Sequence, residues 1–286
     1  MPTQSDTNII PLGDWIQDFV TLWLVPRFGS ELRAIELPVR YVLDAFTNVL
    51  LATPMPVVLV LSVAAAWLAA GKKVAILTAA CVVALNFLGI LDDAKTTFAM
   101  VITSLFFCLI IGLPLGIACA RSNALSTVMR PVLDVMQTVP SFVYLVPIVM
   151  LFGIGLVPGV IATIIFSLPP LIRLTNLGIR EVPAEIIEAA IAFGATPRQV
   201  LFDAQIPCAL PTIMMGVNQT IMMSLSMVVM SALIGAEGLG YLVYTGIGRL
   251  NIGEASLGGI GIVAMAIVLD RVTQAIGTRS VVRKGK

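Results

Sequence analysis

Apolar residues gather into seven runs along the chain, at about 55–70, 74–91, 98–120, 137–152, 157–174, 210–234 and 257–275. A helix needs roughly 20 such residues to cross a bilayer, so each run predicts a membrane span, the first and last being the least clear-cut. Ahead of them the pattern changes. Residues 1–13 are polar and predict a mobile start, while Trp15, Phe19, Leu22 and Trp23 recur at helical spacing from Asp14 onward. That spacing fits a short helix lying in the membrane interface, or a soluble tail with local helix. A second stripe, Ile35, Val39, Val42, Leu43, Phe46 and Val49, faces away from Glu36, Arg40 and Asp44, which fall four residues apart. Neither segment is long or apolar enough to span, and both are expected to lie flat and frame the bundle. The chain thus divides into an N-terminal tail with amphipathic helices, 1–50, and a transmembrane domain, 51–286.

One polar passage interrupts the apolar runs at length, at 181–211. A first short helix is predicted after Pro183, with Glu185 and Glu188 suited to its positive end, and Gly194 terminates it in a left-handed cap. Thr196, Pro197, Arg198 and Gln199 then form a capping box with proline at the first helical position. Gly194 is a hinge between two small helices.

Composition agrees with the pattern. The 286 residues are 58% hydrophobic and 12% charged, against about 25% charged in an ordinary soluble domain. This is an all-α integral membrane protein. A net charge of +1 with no basic or acidic tract gives no argument for nucleic acid. Histidine is absent, which removes His-based triads and metal sites, and Cys81, Cys108, Cys119 and Cys208 lack metal spacing. No basic start followed by an apolar core opens the chain, so the spans themselves are expected to direct insertion. With seven spans and the C-terminus inside, Lys72, Lys73, Arg121, Arg130, Arg173, Arg180, Arg198, Arg271, Arg279, Arg283, Lys284 and Lys286 are cytoplasmic. These are twelve of the seventeen basic residues. The bias supports N-out, C-in, and puts the 181–211 loop in the cytoplasm.

Glu188, Ala189, Ala190, three intervening residues, Gly194 and the downstream Ile206 and Pro207 resemble the EAA loop of ABC importer permeases. That loop follows the pattern E-A-A-x3-G-x9-I-x-L-P; here Ala204 replaces isoleucine and Ile206 replaces leucine. The residue-level alternative is an ordinary amphipathic loop helix. Further stretches, 133–147, 155–179, 193–207 and 216–240, resemble the permease subunit of glycine betaine/proline-type osmoprotectant importers. The likeness extends from about residue 50 to the C-terminus and is strongest over 133–240. It implies a type I ABC importer-like transmembrane bundle whose 181–211 loop is the coupling helix of a cytoplasmic ATPase. By that resemblance the ATPase contact falls on Glu185, Glu188, Ala189, Ala190, Gly194, Thr196, Pro197, Arg198, Ile206 and Pro207. It also implies a homodimer, two ATPase subunits that use ATP and magnesium, a separate extracytoplasmic binding protein, and a bacterial plasma membrane location. No cofactor is expected in this chain, and since it stops at Lys286 no fused binding protein is expected. Family substrates are glycine betaine, proline betaine, carnitine, choline and proline.

Candidate pathway residues come from the pattern itself. Proline-broken helices line transport paths, and the passage 134–144 sets Gln137, Thr138, Ser141, Phe142 and Tyr144 around Pro140. It lines or gates a path, or it is a cytoplasmic helix end whose aromatics merely pack. Asn218, Met222, Ser226 and Met230 fall four apart on one face, as a path lining or as a helix-packing or subunit surface. The outer turn 235–241, with Glu237 and Tyr241, touches a binding protein or is a tight turn. An ionised group at a span centre costs at least roughly 2.5–3.5 kcal/mol and marks ion relays; Arg173, Asp270 and Arg271 are expected at span ends instead. A proton- or sodium-driven carrier is therefore disfavoured, and among family substrates the lack of a buried carboxylate leans toward zwitterions. Gly71-Lys72-Lys73 is not a phosphate loop, so no ATP hydrolysis is expected here. A membrane scaffold or sensor without translocation is the competing class.

Overall fold

The structure, a computed structural model, describes residue 15 and residues 18–282, and these form helices without a strand. The polar start at 1–13 lies outside the described residues. A π-helical turn, Phe19–Leu24, runs directly into α1, Val25–Ala52. It is followed by α2, Met55–Ala70, α3, Lys72–Phe87, α4, Leu91–Arg121, α5, Asn123–Thr138, a 3-10 turn at Ser141–Tyr144, and α6, Leu145–Phe152. Then come α7, Leu156–Arg180, α8, Ala184–Ala192, and α9, Pro197–Gln199. A π-helical stretch, Val200–Gln205, leads from α9 into α10, Ile206–Met230. The chain ends with α11, Leu239–Gly248, and α12, Ile252–Val282.

Among the described residues four helices are long and apolar enough to cross a membrane: α4, α7, the continuous run Pro197–Ile234, and α12 to Gly277. Two bent pairs pass the same test jointly: 34–52 with α2, bent by 113°, and α5 with the 141–152 segment, bent by 106°. The expected spans therefore resolve differently in three places. The runs at 55–70 and 74–91 are helices of 16 residues each, α2 and α3, joined by Gly71 at φ 86°. Both are shorter than a full crossing, since 16 residues rise only about 24 Å against a hydrocarbon core of about 30 Å. The run at 137–152 opens on a break: α5 stops at Thr138, and Val139 and Pro140 are extended before the 3-10 turn. Proline has no N–H to continue the ladder and drives its predecessor out of the helical region.

The N-terminal segment also differs from two separate flat helices. Trp15, Phe19, Leu22 and Trp23 are exposed, with the Phe19 and Trp23 rings stacked at 5.0 Å, but they feed the 28-residue α1. There Val39 and Leu43 are buried in the main core and Glu36 pairs with Arg40, as the stripe predicted, whereas Ile35 and Val49 of the same stripe are exposed. The glycine-rich 235–241 stretch is the entry to a helix that the pattern missed, α11.

The core is a three-helix contact of α4, α7 and α10. Small residues permit it. A Cβ added at Gly116 on α4 would lie 2.6 Å from Thr175 Cβ on α7, so the two backbones meet where only hydrogen fits. Deeper in, Ser224 Oγ of α10 donates to Ser167 Oγ of α7 at 3.0 Å. Ser167 donates in turn to the Thr163 carbonyl at 2.6 Å, and Cys108 of α4 lies 3.4 Å from the same hydroxyl. Cys108 thus packs the core. At the end of the bundle away from the 181–211 loop, Gly155 N–H donates to the Ile234 carbonyl at 2.9 Å. There too Leu239 N–H donates to Thr97 Oγ1 at 2.9 Å, tying α11 to α4.

Gly116→Leu should lower the apparent melting temperature in detergent by several degrees, since overpacking costs about 1–3 kcal/mol. Gly259→Ala, where nothing lies within 4 Å of the added carbon, should leave it unchanged or slightly higher. Fluorescence-detected thermal gel filtration measures both.

Candidate functional site

The loop that follows α7 begins from a clamp. Arg180, the last residue of α7, donates from Nε to Asn176 Oδ1 at 2.8 Å and from Nη1 to Asn123 Oδ1 at 2.7 Å. Its Nη2 donates to the Cys119 carbonyl at 2.8 Å. One guanidinium thereby fixes the ends of α4, α5 and α7 against each other, its planar fork of N–H donors being spent on three acceptors at once.

Beyond the clamp Val182 is buried, and Pro183, extended at φ −53° and ψ 137°, starts α8. The helix carries Glu185 in its first turn, where a carboxylate suits the helix dipole. It ends in a paired reverse cap: Ala195 N–H donates to the Ala190 carbonyl at 3.0 Å, and Gly194 N–H to the Ile191 carbonyl at 2.9 Å. Gly194 stands at φ 83°, the left-handed conformation the sequence predicted for it. The capping box is present in full, Thr196 Oγ1 accepting from Gln199 N–H while Gln199 Oε1 accepts from Thr196 N–H at 2.8 Å.

The two short helices differ in how they are held. Val200 and Leu201 are buried, and Leu201 joins Ile179, Ala209 and Ile213 in a cluster packed against the end of α4. Ile206 packs on the same cluster, with Pro207 at the start of α10. Alpha-8 has no buried residue at all. Glu188 and Ala189 are exposed and Ala190 is half-buried, while Ile191 is 59% and Phe193 92% exposed. Arg198 is exposed as well. The loop is therefore a firmly seated base that carries an apolar, uncovered helix across a glycine joint. Sequence reading found the joint but not Phe193 or Arg180. An aromatic side chain in a polar loop, directly before the hinge glycine, was the available signal for Phe193.

The candidate pathway residues occupy two places. Gln137 and Thr138 are exposed on the last turn of α5, Pro140 stands at the elbow, and Ser141, Phe142 and Tyr144 form the 3-10 turn. Tyr144 Oη donates across the elbow to the Met136 carbonyl at 2.6 Å, and its ring meets Phe166 of α7 edge-on at 5.8 Å. Phe142 points outward, 55% exposed. This turn touches α10, the helix that carries the second set. On α10, Ser226 is exposed and Met222 half-buried on the open side. Asn218 does something else. It donates from Nδ2 to Asp270 Oδ1 at 3.1 Å and accepts from Thr273, which locks α10 to α12. Asn218 is the thirteenth of the 25 residues of α10, so Asp270, expected at a span end, is bonded to the middle of a spanning helix. Gln274 Nε2 also donates to Asp270 Oδ1, at 2.6 Å. Arg173 likewise is paired, with Asp134 of α5.

Residues 112–282, which are 171 of the 286, match the family described as binding-protein-dependent transport system inner membrane component. The chain belongs to this family. Among relatives, it is 52% identical over 273 residues to the glycine betaine/proline betaine transport system permease protein ProW of Escherichia coli strain K12, covering 96% of this chain and 77% of that one. It is 44% identical to the glycine betaine/carnitine transport permease protein GbuB of Listeria monocytogenes, covering 95% and 97%. Identity to the glycine betaine transport system permease protein OpuAB of Bacillus subtilis is 41%, covering 93% and 94%. Among solved structures, an inward-facing form of the MetNI methionine ABC transporter superposes with TM-score 0.57 at 26% identity, covering 69% of this chain and 96% of that one. A second inward-facing form gives 0.56 at 24%, covering 66% and 93%, and supports the fold alone.

An inner-membrane transport component of this family is a permease subunit and not an enzyme, and the type I importer fold expected from the EAA-like loop is the fold observed. Family membership also implies an ATPase and a substrate-binding protein as partners.

Arg180→Ala should release the base of the loop. Loss of charge-assisted hydrogen bonds worth about 1.5 kcal/mol net corresponds to roughly tenfold faster amide exchange. Hydrogen exchange read by mass spectrometry should show that acceleration over residues 181–199, with the α4–α7 core unchanged.

Proposed function

We propose that this chain is the translocating subunit of an ATP-driven importer for glycine betaine-type osmolytes, substrate being handed over by a separate extracytoplasmic binding protein. The observation that carries the substrate class is the 52% identity across 96% of the chain to a glycine betaine/proline betaine permease. The loop carries the mechanism. Its exposed apolar side chains, Ile191 and Phe193, are suited to a protein groove, and the small Ala189 and Ala190 let a partner backbone come close. Glu185 and Glu188 stand at the rim, available to cations of the partner.

In this reading the partner is an ATPase on the cytoplasmic side, and ATP and magnesium are used there while this chain holds no cofactor. Movement enters at α8, crosses the Gly194 joint, and reaches α10 through Thr196, Pro197, Arg198 and the buried Val200–Leu201 anchor. Ile206 and Pro207 form the end of α10 that receives it. The elbow at Pro140 and the open side of α10 around Met222 and Ser226 form this chain's half of the path. A second copy of the chain supplies the other half, so the working permease is a homodimer. Asn218 serves the path indirectly, by holding α12 in place.

Reconstitution with the cognate ATPase and binding protein tests the proposal, with radiolabelled glycine betaine as substrate. ATP-dependent uptake is expected, and Glu188→Lys combined with Gly194→Val should reduce it at least tenfold while ATP hydrolysis continues and the protein stays in the membrane. Unchanged uptake by that double variant would refute the coupling role. Phe193→Ser should reduce the ATPase copurifying with the chain, with no change in melting temperature, because its side chain is 92% exposed in the chain alone.

A further inference from the structure

Away from the loop and the proposed path, the hairpin of α2 and α3 leans on α12 and leaves a cleft of about 380 Å³ against α4 and the end of α1. Its walls include Leu50, Leu61, Val82, Phe98 and Met265. The hydroxyls along those walls do not face the cleft with free hydrogen atoms. Thr53 donates to the Val49 carbonyl at 2.6 Å, Ser62 to Leu59 at 3.1 Å, and Thr78 to Val74 at 2.9 Å, each within its own helix or at its end. What remains is an apolar slot more than twice the size of the roughly 150 Å³ apolar cavity that stays dry and takes up benzene. The slot is not enclosed: Val49 and Leu61 of its lining are 66% and 62% exposed.

A single charge borders it. Lys95 is 7% exposed, and its Nζ donates to Asp92 Oδ1 at 2.8 Å and to the Thr53 carbonyl at 3.2 Å. An ammonium has three N–H groups, so one is left to spend on a ligand of the slot. Its depth is informative. The 31 residues of α4 extend about 46 Å at about 1.5 Å each, which matches the roughly 40–45 Å of a bilayer including its headgroups. Lys95, one turn from the start of α4, is therefore at headgroup level, and the apolar walls continue from it into hydrocarbon depth.

We propose that this cleft is a binding site for one acyl chain of a membrane phospholipid, with the phosphate or ester oxygens of the same lipid held by Lys95. The lipid fills the space between the α2–α3 hairpin and the transport core, so the hairpin is joined to the core through a lipid as well as through α12 and the direct contact of α3 with α4. This site is independent of the identity of the transported osmolyte.

The test uses the full chain in its assembled complex. Native mass spectrometry after detergent extraction should find one phospholipid retained per chain. In nanodiscs, a phospholipid with a photoreactive acyl chain should label peptides containing Val82, Phe98 and Met265 in preference to other lipid-facing helices. Ala65→Phe and Ala264→Phe, which add side chains at the cleft wall, should each cut retention and labelling at least fivefold while the complex still assembles. Lys95→Met should weaken retention and leave the labelled positions the same. Labelling spread evenly over the exposed helices, retention unaffected by both phenylalanine variants, or crosslinks showing a second protein chain in the cleft would each overturn the proposal.

Discussion

Close approach between α4, α7 and α10 is the constraint on which the rest of the molecule depends. In hydrocarbon, helices gain little from excluding apolar surface, because lipid tails are as apolar as leucine; contact must come from fit and from internal polar partners. Gly116 against Thr175 supplies the fit, and Ser224, Ser167 and Cys108 supply the polar contact in the same interface. Thr175 contributes carbon atoms there, its hydroxyl being without a partner. With the three axes fixed, the ends of the helices are fixed too, and everything that functions is hung from those ends.

At one end Arg180 converts that fixed geometry into a platform. Because its three donors reach three different helices, the loop leaves the bundle in a set direction. Burial of Val200 and Leu201 returns it just as firmly to α10. Between these two anchors the glycine joint is the compliant point, and α8 beyond it is bare. The Pro140 elbow, closed by Tyr144 onto Met136, is a second place where a helix is interrupted and then stapled. Rigid parts separated by two defined joints are what a subunit driven from outside requires.

Local chemistry was legible in the sequence where a residue type has a unique use. Gly194 at positive φ, the Thr196–Gln199 box, the Glu36–Arg40 pair and the apolar face of α1 at Val39 and Leu43 all follow from spacing and conformational preference. Interactions between distant residues were not legible. Nothing in the pattern says that Arg180 reaches back to Cys119, or that Asp270 meets Asn218 across 52 positions. Hydropathy also merged what backbone geometry divides. The division at Gly71 is legible in the sequence, but the short helices on either side of it read as full spans, and the run at 137–152 reads as one span where Pro140 breaks a bent pair. Resemblance carried by motif residues reached the family; the pattern of apolar positions reached only the fold class.

A helix with no fully buried side chain is held to its own chain by little, here by the half-buried Ile187 and Ala190 and its contact with the Val200–Gln205 stretch. For α8, the exposed side chains among 185–193 are free to diverge as far as the chain's own folding is concerned, while the box and the buried anchor after it are not. Complementarity with whatever protein occupies that face is then what restricts its alphabet, and two otherwise similar subunits that serve different motors should be told apart at those exposed positions.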